Sequence, residues 1–324
     1  MKMMYYNVAA CLLVIAVSND MVLSCPSDCS CITNNNGVTV DCSSRGLTVI
    51  PRNFPNDSYR IEMNNNPFTT IEKGTFQNLT LLYSVLIFGS NLSTIETGAF
   101  ITLPNLYIID LEDNHITIIQ PGAFKHLPAI YAIYLFSNQI NAIQRGIFDN
   151  LQALIRLSLY NNQITALQRG MFGNLQALTE LDLRNNQITT IQQGAFQTLS
   201  ALQTLDLLGN NLTFIKNDTF EHNTNLQYLY LDLVCDCNFP FWSWLKSKSL
   251  FNDVGTCVDR DNIKLSSLHE SDFDNCTYDS CYPDYCSNGR SCSQNSYGDL
   301  VCSCVGGWTG TTCTGKWNIN SIER

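Results

Sequence analysis

One period governs this chain. Stepping by 24 residues from Asn66 lands on Ser90, Asn114, Asn138, Asn162, Asn186 and Asn210, with no insertion across seven units. The same step links Val85/Ile87, Ile109/Leu111, Ile133/Leu135, Leu157/Leu159, Leu181/Leu183 and Leu205/Leu207. It also links Phe76, Phe100, Phe124, Phe148, Phe172, Phe196 and Phe220, and Gly74, Gly98, Gly122, Gly146, Gly170 and Gly194, before Asp218 breaks the glycine column. Within one unit, Leu178, Leu181, Leu183, Asn186, Ile188, Ile191 and Phe196 follow neither a helical period nor the alternation of a long strand. A unit of fixed length that cannot bury its own apolar edge must stack on its neighbours. The chain is thereby restricted to a solenoid in which each unit gives one short strand, paired in parallel with the next.

Each column then has a structural task. The Asn amide both donates and accepts, so it can satisfy backbone groups where the chain turns away from the strand. Leaving such groups buried and unpaired costs about 1–3 kcal/mol each. Ser90 has a shorter side chain, and a locally weaker turn is expected there. The Phe column should stack as a spine behind the strands, each ring contributing about 1.5–3 kcal/mol by burial. The Gly column marks a turn that tolerates positive φ.

These columns resemble the leucine-rich repeat family, whose extracellular 24-residue form reads LxxLxLxxNxIxxIxxGxFxxLxx; residues 58–225 match it as seven repeats. The resemblance implies an α/β horseshoe with a parallel concave sheet and a mostly irregular convex side. Such a solenoid needs capped ends. Residues 19–57 contain CPSDCSCITNNNGVTVDC, similar to the family's N-terminal cap, which implies the pairs Cys25–Cys31 and Cys29–Cys42. Residues 226–276 hold the last strand and CDCNFPFWSWLKS, similar to the C-terminal cap, which implies Cys235–Cys257 and Cys237–Cys276. Spacing alone leaves three pairings open in each set. Phe239, Phe241, Trp242 and Trp244 are expected to seal the core. Residues 277–313 end in CSCVGGWTGTTC and resemble an epidermal-growth-factor-like module, with Gly307, Trp308 and Gly310 at that family's positions. This implies Cys281–Cys292, Cys286–Cys302 and Cys304–Cys313, on which so small a module would depend. The calcium-binding variant carries an acidic stretch before its first cysteine, and only Asp279 stands here, so no metal or cofactor is expected. Residues 314–324 form a tail.

The compartment follows from the start of the chain and the cysteines. Residues 1–18 contain one lysine, an apolar run from Val8 to Val17 and the pair Ala16/Ser18, a secretory leader in pattern. Cys11 lies inside it, leaving an even set of 14 cysteines that suits an oxidising space. Sequons at Asn56, Asn78, Asn91, Asn211, Asn217 and Asn275 fit the same route. No later segment is apolar enough to span a membrane, so a secreted, extracellular product is expected. A formal charge of −10 argues against nucleic acid, which calls for basic patches.

Side chains between the strand leucines are expected to point out of the concave face. The column before the middle leucine reads Arg60, Ser84, Ile108, Ala132, Arg156, Glu180, Thr204 and Tyr228. Between the paired leucines stand Glu62, Leu86, Asp110, Tyr134, Ser158, Asp182, Asp206 and Tyr230, and after them Asn64, Phe88, Glu112, Phe136, Tyr160, Arg184, Leu208 and Asp232. A merely solvated face would hold few large apolar side chains, whereas exposed aromatics mark recognition surfaces. Phe88, Asp110, Glu112, Tyr134, Phe136, Tyr160, Asp182, Arg184, Asp206, Tyr228 and Tyr230 are therefore the candidate ligand-binding residues. The carboxylates favour a protein or microbial-surface partner of cationic or amphiphilic character. Arg156 and Arg184 can either pair with neighbouring carboxylates or meet the ligand. His115, His126, His222 and His269 form no metal-ligand spacing, and the paired cysteines leave no thiol nucleophile, so no enzyme is expected. The caps and repeats resemble the variable lymphocyte receptors of jawless vertebrates over residues 25–276, which implies ligand binding on the concave face in immune recognition. Slit-like guidance proteins, which place such repeats before growth-factor-like modules, resemble residues 25–313 and imply the alternative, a ligand for a cell-surface receptor.

Overall fold

The computed structural model of the chain describes residues 25–212, 215–216, 218–233, 235, 239–248, 255–258, 261–273, 289–294, 300–304, 308–309 and 315–316. Ten strands form its main sheet, in chain order: β1 Ser30–Asn34, β2 Gly37–Asp41, β3 Ser58–Glu62, β4 Ser84–Leu86, β5 Ile108–Asp110, β6 Ala132–Tyr134, β7 Arg156–Ser158, β8 Glu180–Asp182, β9 Thr204–Leu207 and β10 Tyr228–Leu231. β1 and β2 are an antiparallel hairpin, and every later neighbour is parallel. The register is the sequence period itself: Ile61 faces Val85, then Ile109, Ile133, Leu157, Leu181, Leu205 and Leu229 in turn. Equal spacing makes each unit one turn of the coil, so equivalent residues arrive side by side running the same way. All eight of these side chains are buried.

Among the described residues the convex side has only two-residue strands. Thr70–Ile71, Thr94–Ile95 and Ile118–Ile119 pair as one set, Phe100–Ile101 with Phe124–Lys125 as another, and Ala166–Leu167 with Thr190–Ile191 as a third. Behind the strands, Phe54, Phe76, Phe100, Phe124 and Phe148 follow one another at centroid spacings of 5.9, 5.1, 5.6 and 6.2 Å. Phe172, Phe196 and Phe220 continue at 6.0 and 5.4 Å. The glycine column takes φ between 74° and 90°, the left-handed region that a Cβ disfavours.

Where each strand ends, the Asn column bonds the backbone of two neighbouring turns. Asn162 Nδ2 donates to the carbonyls of Leu135 at 2.9 Å and Leu159 at 3.0 Å, and its Oδ1 accepts the Ile140 N–H at 3.0 Å. Asn138, Asn186 and Asn210 repeat the pattern. Ser90 keeps less of it: its hydroxyl donates to the Met63 carbonyl at 3.4 Å and accepts the Asn66 N–H at 3.0 Å.

Both ends are closed. Cys25–Cys31 and Cys29–Cys42 staple the N-terminal hairpin, and Phe54 extends the phenylalanine spine under it. At the other end, helix α1 (Phe239–Ser247) places Phe241 and Trp244 at 6.0 and 5.8 Å from Phe220. Trp242 is buried and its indole donates to the Leu265 carbonyl at 3.3 Å. Cys235–Cys257 ties the last turn to the segment after the helix. The expected Cys237–Cys276 pair, the three pairs of the growth-factor-like region, the leader, and sequons Asn217 and Asn275 lie outside the described residues. In the C-terminal region Gly289–Gln294 pairs antiparallel with Leu300–Cys304, with Cys292 opposite Cys302, and Trp308–Thr309 pairs with Gly315–Lys316. Among the described residues no helix is long and apolar enough to cross a membrane.

Candidate ligand-binding face

With the strand leucines turned into the core, alternation sends the residues between them to the opposite, concave face. The structure places Phe88, Asp110, Glu112, Tyr134, Phe136, Tyr160, Asp182, Asp206 and Tyr230 there half-buried, and Arg184 and Tyr228 exposed. Three other outward positions are covered: Asn64, Ser84 and Ala132 are buried, contrary to the simple register reading. Asn64 is a structural residue, its Oδ1 accepting the Phe88 N–H at 3.0 Å.

The rings form connected groups. Tyr134 meets Phe136 edge-on at 6.5 Å, Phe136 lies 6.1 Å from Tyr160, and the Arg184 guanidinium sits 5.0 Å from the Tyr160 ring centre. Tyr228 and Tyr230 make a second pair at 6.3 Å. Such rings offer contact area at little entropic cost, since few torsions are left to freeze.

The aspartates of the middle column carry a task that the sequence reading missed. Asp110 accepts the N–H of Glu112 at 3.2 Å, Asp182 that of Arg184 at 3.1 Å and Asp206 that of Leu208 at 3.1 Å. Each carboxylate closes a turn two residues on, the local bond that short acidic side chains favour. One oxygen of each is thus engaged with the backbone, and in Asp182 and Asp206 the other meets Arg184.

Both arginines left open by the sequence are engaged within the protein. Arg184 bonds Asp182 at 2.7 Å and reaches Asp206 at 3.4 Å, and Arg156 pairs with Glu180 at 3.0 Å. The Asp182 hydrogen bond and Glu180 respectively raise the pKa of Arg184 and Arg156 further. Burial pushes Asp206 up to about 6 despite its bond to the Leu208 N–H. Burial also raises Asp110 and Glu112, and each has a neighbouring carboxylate that adds to the shift.

A further feature was readable in the sequence but overlooked. Tyr59, Tyr83, Tyr107 and Tyr131 obey the same step of 24, one position before the outward columns, and their rings stack at 5.1, 5.1 and 4.8 Å with planes within 13°. Arg156 lies 5.8 Å from the last ring. The signal was a fifth periodic column, and it lies along the flank of the concave face.

Comparison with known proteins agrees with this geometry. A leucine-rich repeat family model matches residues 80–140, 130–188 and 176–232. Biglycan of Xenopus laevis is 41% identical over 63 residues, 19% of this chain and 16% of that protein. The chain spans about a fifth of the length of the curated relatives it matches. Among solved structures, human 5T4 (Wnt-activated inhibitory factor 1, Trophoblast glycoprotein) superposes with a TM-score of 0.61 at 27% identity, covering 78% of this chain and 99% of that one. A chain of the octameric complex of Latrophilin 3, Unc5D and FLRT2, whose leucine-rich repeats are those of FLRT2, matches with a TM-score of 0.56 at 27% identity over 64% of each chain. These matches indicate no enzyme family. From β3 to β10 this chain is a leucine-rich repeat solenoid.

Proposed function

We propose that this chain is a secreted, non-enzymatic recognition protein whose concave face binds a protein or microbial-surface ligand, in immune recognition of the variable-lymphocyte-receptor kind. One observation carries the reading: the connected cluster Tyr134, Phe136, Tyr160 and Arg184 stands half-buried to exposed on a continuous parallel sheet. Rigid rings over a rigid sheet are what a recognition surface needs, and a fold that used them only for stability would bury them. The three described disulfides support an oxidising, extracellular setting. The experiment is to replace Phe136 and Tyr160 together by Ala and measure binding of the mature protein to a panel of bacterial and host cell surfaces. Loss of binding with unchanged thermal unfolding is expected; undiminished binding would remove the concave face from consideration.

The alternative is a Slit-like adhesion or guidance ligand for a cell-surface receptor. It is supported by the growth-factor-like cysteine pattern of residues 281–313 and by the likeness to FLRT2, which was solved in complex with Latrophilin 3 and Unc5D. Removing residues 277–324 should weaken receptor engagement under this reading and leave microbial binding intact under the first.

A further inference from the structure

The carboxylates of the concave columns divide by what neutralises them. Glu62 pairs with Arg60, Glu180 with Arg156, and Asp182 and Asp206 share Arg184. Asp232 accepts the Gly209 and Thr256 N–H groups and the Thr256 hydroxyl. Asp110 and Glu112 have no basic partner among the described residues; the Asp110 bond goes to the Glu112 N–H.

Register fixes what surrounds this pair. Asp110 stands between Leu86 and Tyr134, its direct partners on the two neighbouring strands. The same step of 24 puts Glu112 between Phe88 and Phe136. Strands lie about 4.8 Å apart, so two carboxylates occupy the centre of an apolar frame that is three strands wide. The frame withdraws water from them, and both titrate above their usual range as a result. On the same face of β4, the Ser84 hydroxyl is buried and has no hydrogen-bond partner. Desolvated charge of one sign is unfavourable for the protein alone, as is a buried hydroxyl without a partner.

We infer that Asp110 and Glu112, framed by Leu86, Phe88, Tyr134 and Phe136, receive the side chain of an arginine or lysine from a protein partner. The inference rests on the concave face being the binding surface and names the chemistry of its occupant at one place. An arginine or lysine suits the frame because its alkyl stem covers apolar surface, its head meets the carboxylates, and the rings attract it further. A divalent metal ion suits it less, since calcium takes six to eight oxygen ligands. Among the described residues no group of three acidic, histidine or cysteine side chains is arranged to hold a metal. The formal charge of −10 adds a long-range attraction for a basic partner.

The test uses the whole mature protein and Nα-acetyl-L-argininamide (argininamide below), followed by saturation-transfer NMR on the small molecule, with Nα-acetyl-citrullinamide (citrullinamide below), which carries no charge, as the shape control. Argininamide should bind saturably, citrullinamide should not, and Asp110→Asn/Glu112→Gln should weaken argininamide at least about ten-fold, the effect of about 1.4 kcal/mol. The double variant keeps side-chain volume, and an unchanged near-ultraviolet circular dichroism spectrum excludes misfolding. Equal affinity in the double variant, or equal binding of citrullinamide, overturns the inference. A second arm separates it from the wider reading. A partner lost from Tyr160→Ala/Tyr230→Ala but retained by Asp110→Asn/Glu112→Gln keeps the concave face and removes the cation site. A partner retained by both variants removes the concave face.

Discussion

Replacing Asn162 by Ala tests how the asparagine column holds the solenoid. Counting bonds suggests a heavy loss, because the amide contacts the Leu135, Leu159 and Tyr160 carbonyls and the Ile140 N–H. The neighbouring residues reduce it. The Leu135 carbonyl is also bonded by Asn138, the Leu159 carbonyl by Asn186, and the Tyr160 carbonyl by the Ser137 N–H. The group that loses its acceptor is the Ile140 N–H, in a residue only 2% exposed. An unpaired buried donor costs about 1–3 kcal/mol, and a small cavity adds to that, so the expected loss is about 2–4 kcal/mol. Asn162→Asp sharpens the test. It retains an acceptor for Ile140 but turns a second carboxylate oxygen toward the Leu135 and Leu159 carbonyls, and should cost more than Ala. Urea unfolding gives the total, and hydrogen exchange at Ile140 should show protection lost there first. An Ala variant within 0.5 kcal/mol of the parent, or an Asp variant more stable than the Ala one, would refute the reasoning.

Three further outcomes follow from the same geometry. Phe196→Ala empties a fully buried place between Phe172 and Phe220 and should cost about 3–5 kcal/mol, measured by thermal or urea unfolding. Ser90→Asn should restore the missing amide of the column and raise stability by about 1 kcal/mol in the same assay. Asp206 has a folded pKa of about 6 against an ordinary 3.8, so the folded state binds the proton more tightly than the unfolded one. Its contribution is fully present below pH 3.8 and is lost as pH rises through 6; Asp206→Asn should flatten that segment of the stability profile in unfolding measured from pH 3.5 to 7.

Fold and site were legible to different depths. The period alone fixed the strand register, because a coil with turns of equal length has one way to stack them. Asn162 and its equivalents could be assigned to the turn from the chemistry of an amide that donates and accepts. What the period hides is the role of side chains that obey no strict column. Asn64, Ser84 and Ala132 point outward by register yet are buried, and a column position by itself says nothing of what covers it. Asp110, Asp182 and Asp206 read as ligand-facing carboxylates, and their bond to the backbone two residues on shows only in coordinates. The tyrosine row was missed for a different reason. It is periodic, but tyrosine gives way to Ile155, Thr179, Gln203 and Gln227, and a column that changes character halfway is easy to pass over.

That change of character bears on how the face works. Along the flank, stacked rings run from Tyr59 to Tyr131 and end where Arg156 lies beside Tyr131 and pairs with Glu180. On the concave columns the unneutralised carboxylates Asp110 and Glu112 lie within the same span, whereas Asp182 and Asp206 beyond it are held by Arg184. The N-terminal half therefore combines stiff aromatic walls with open negative charge, and the C-terminal half answers its own charges. A cation docking in the first half gains a partner, but in the second half it must displace Arg184 and break the bonds of that guanidinium to two aspartates. The exchange returns little, because one charge-assisted contact replaces another. Replacing Arg184 by Met would free Asp182 and Asp206 while keeping an unbranched side chain beside Tyr160. If internal neutralisation is what sets the halves apart, argininamide should then bind at two places in saturation-transfer NMR; a single site of unchanged affinity would show that the rings, and not the missing counter-charge, define the receiving half.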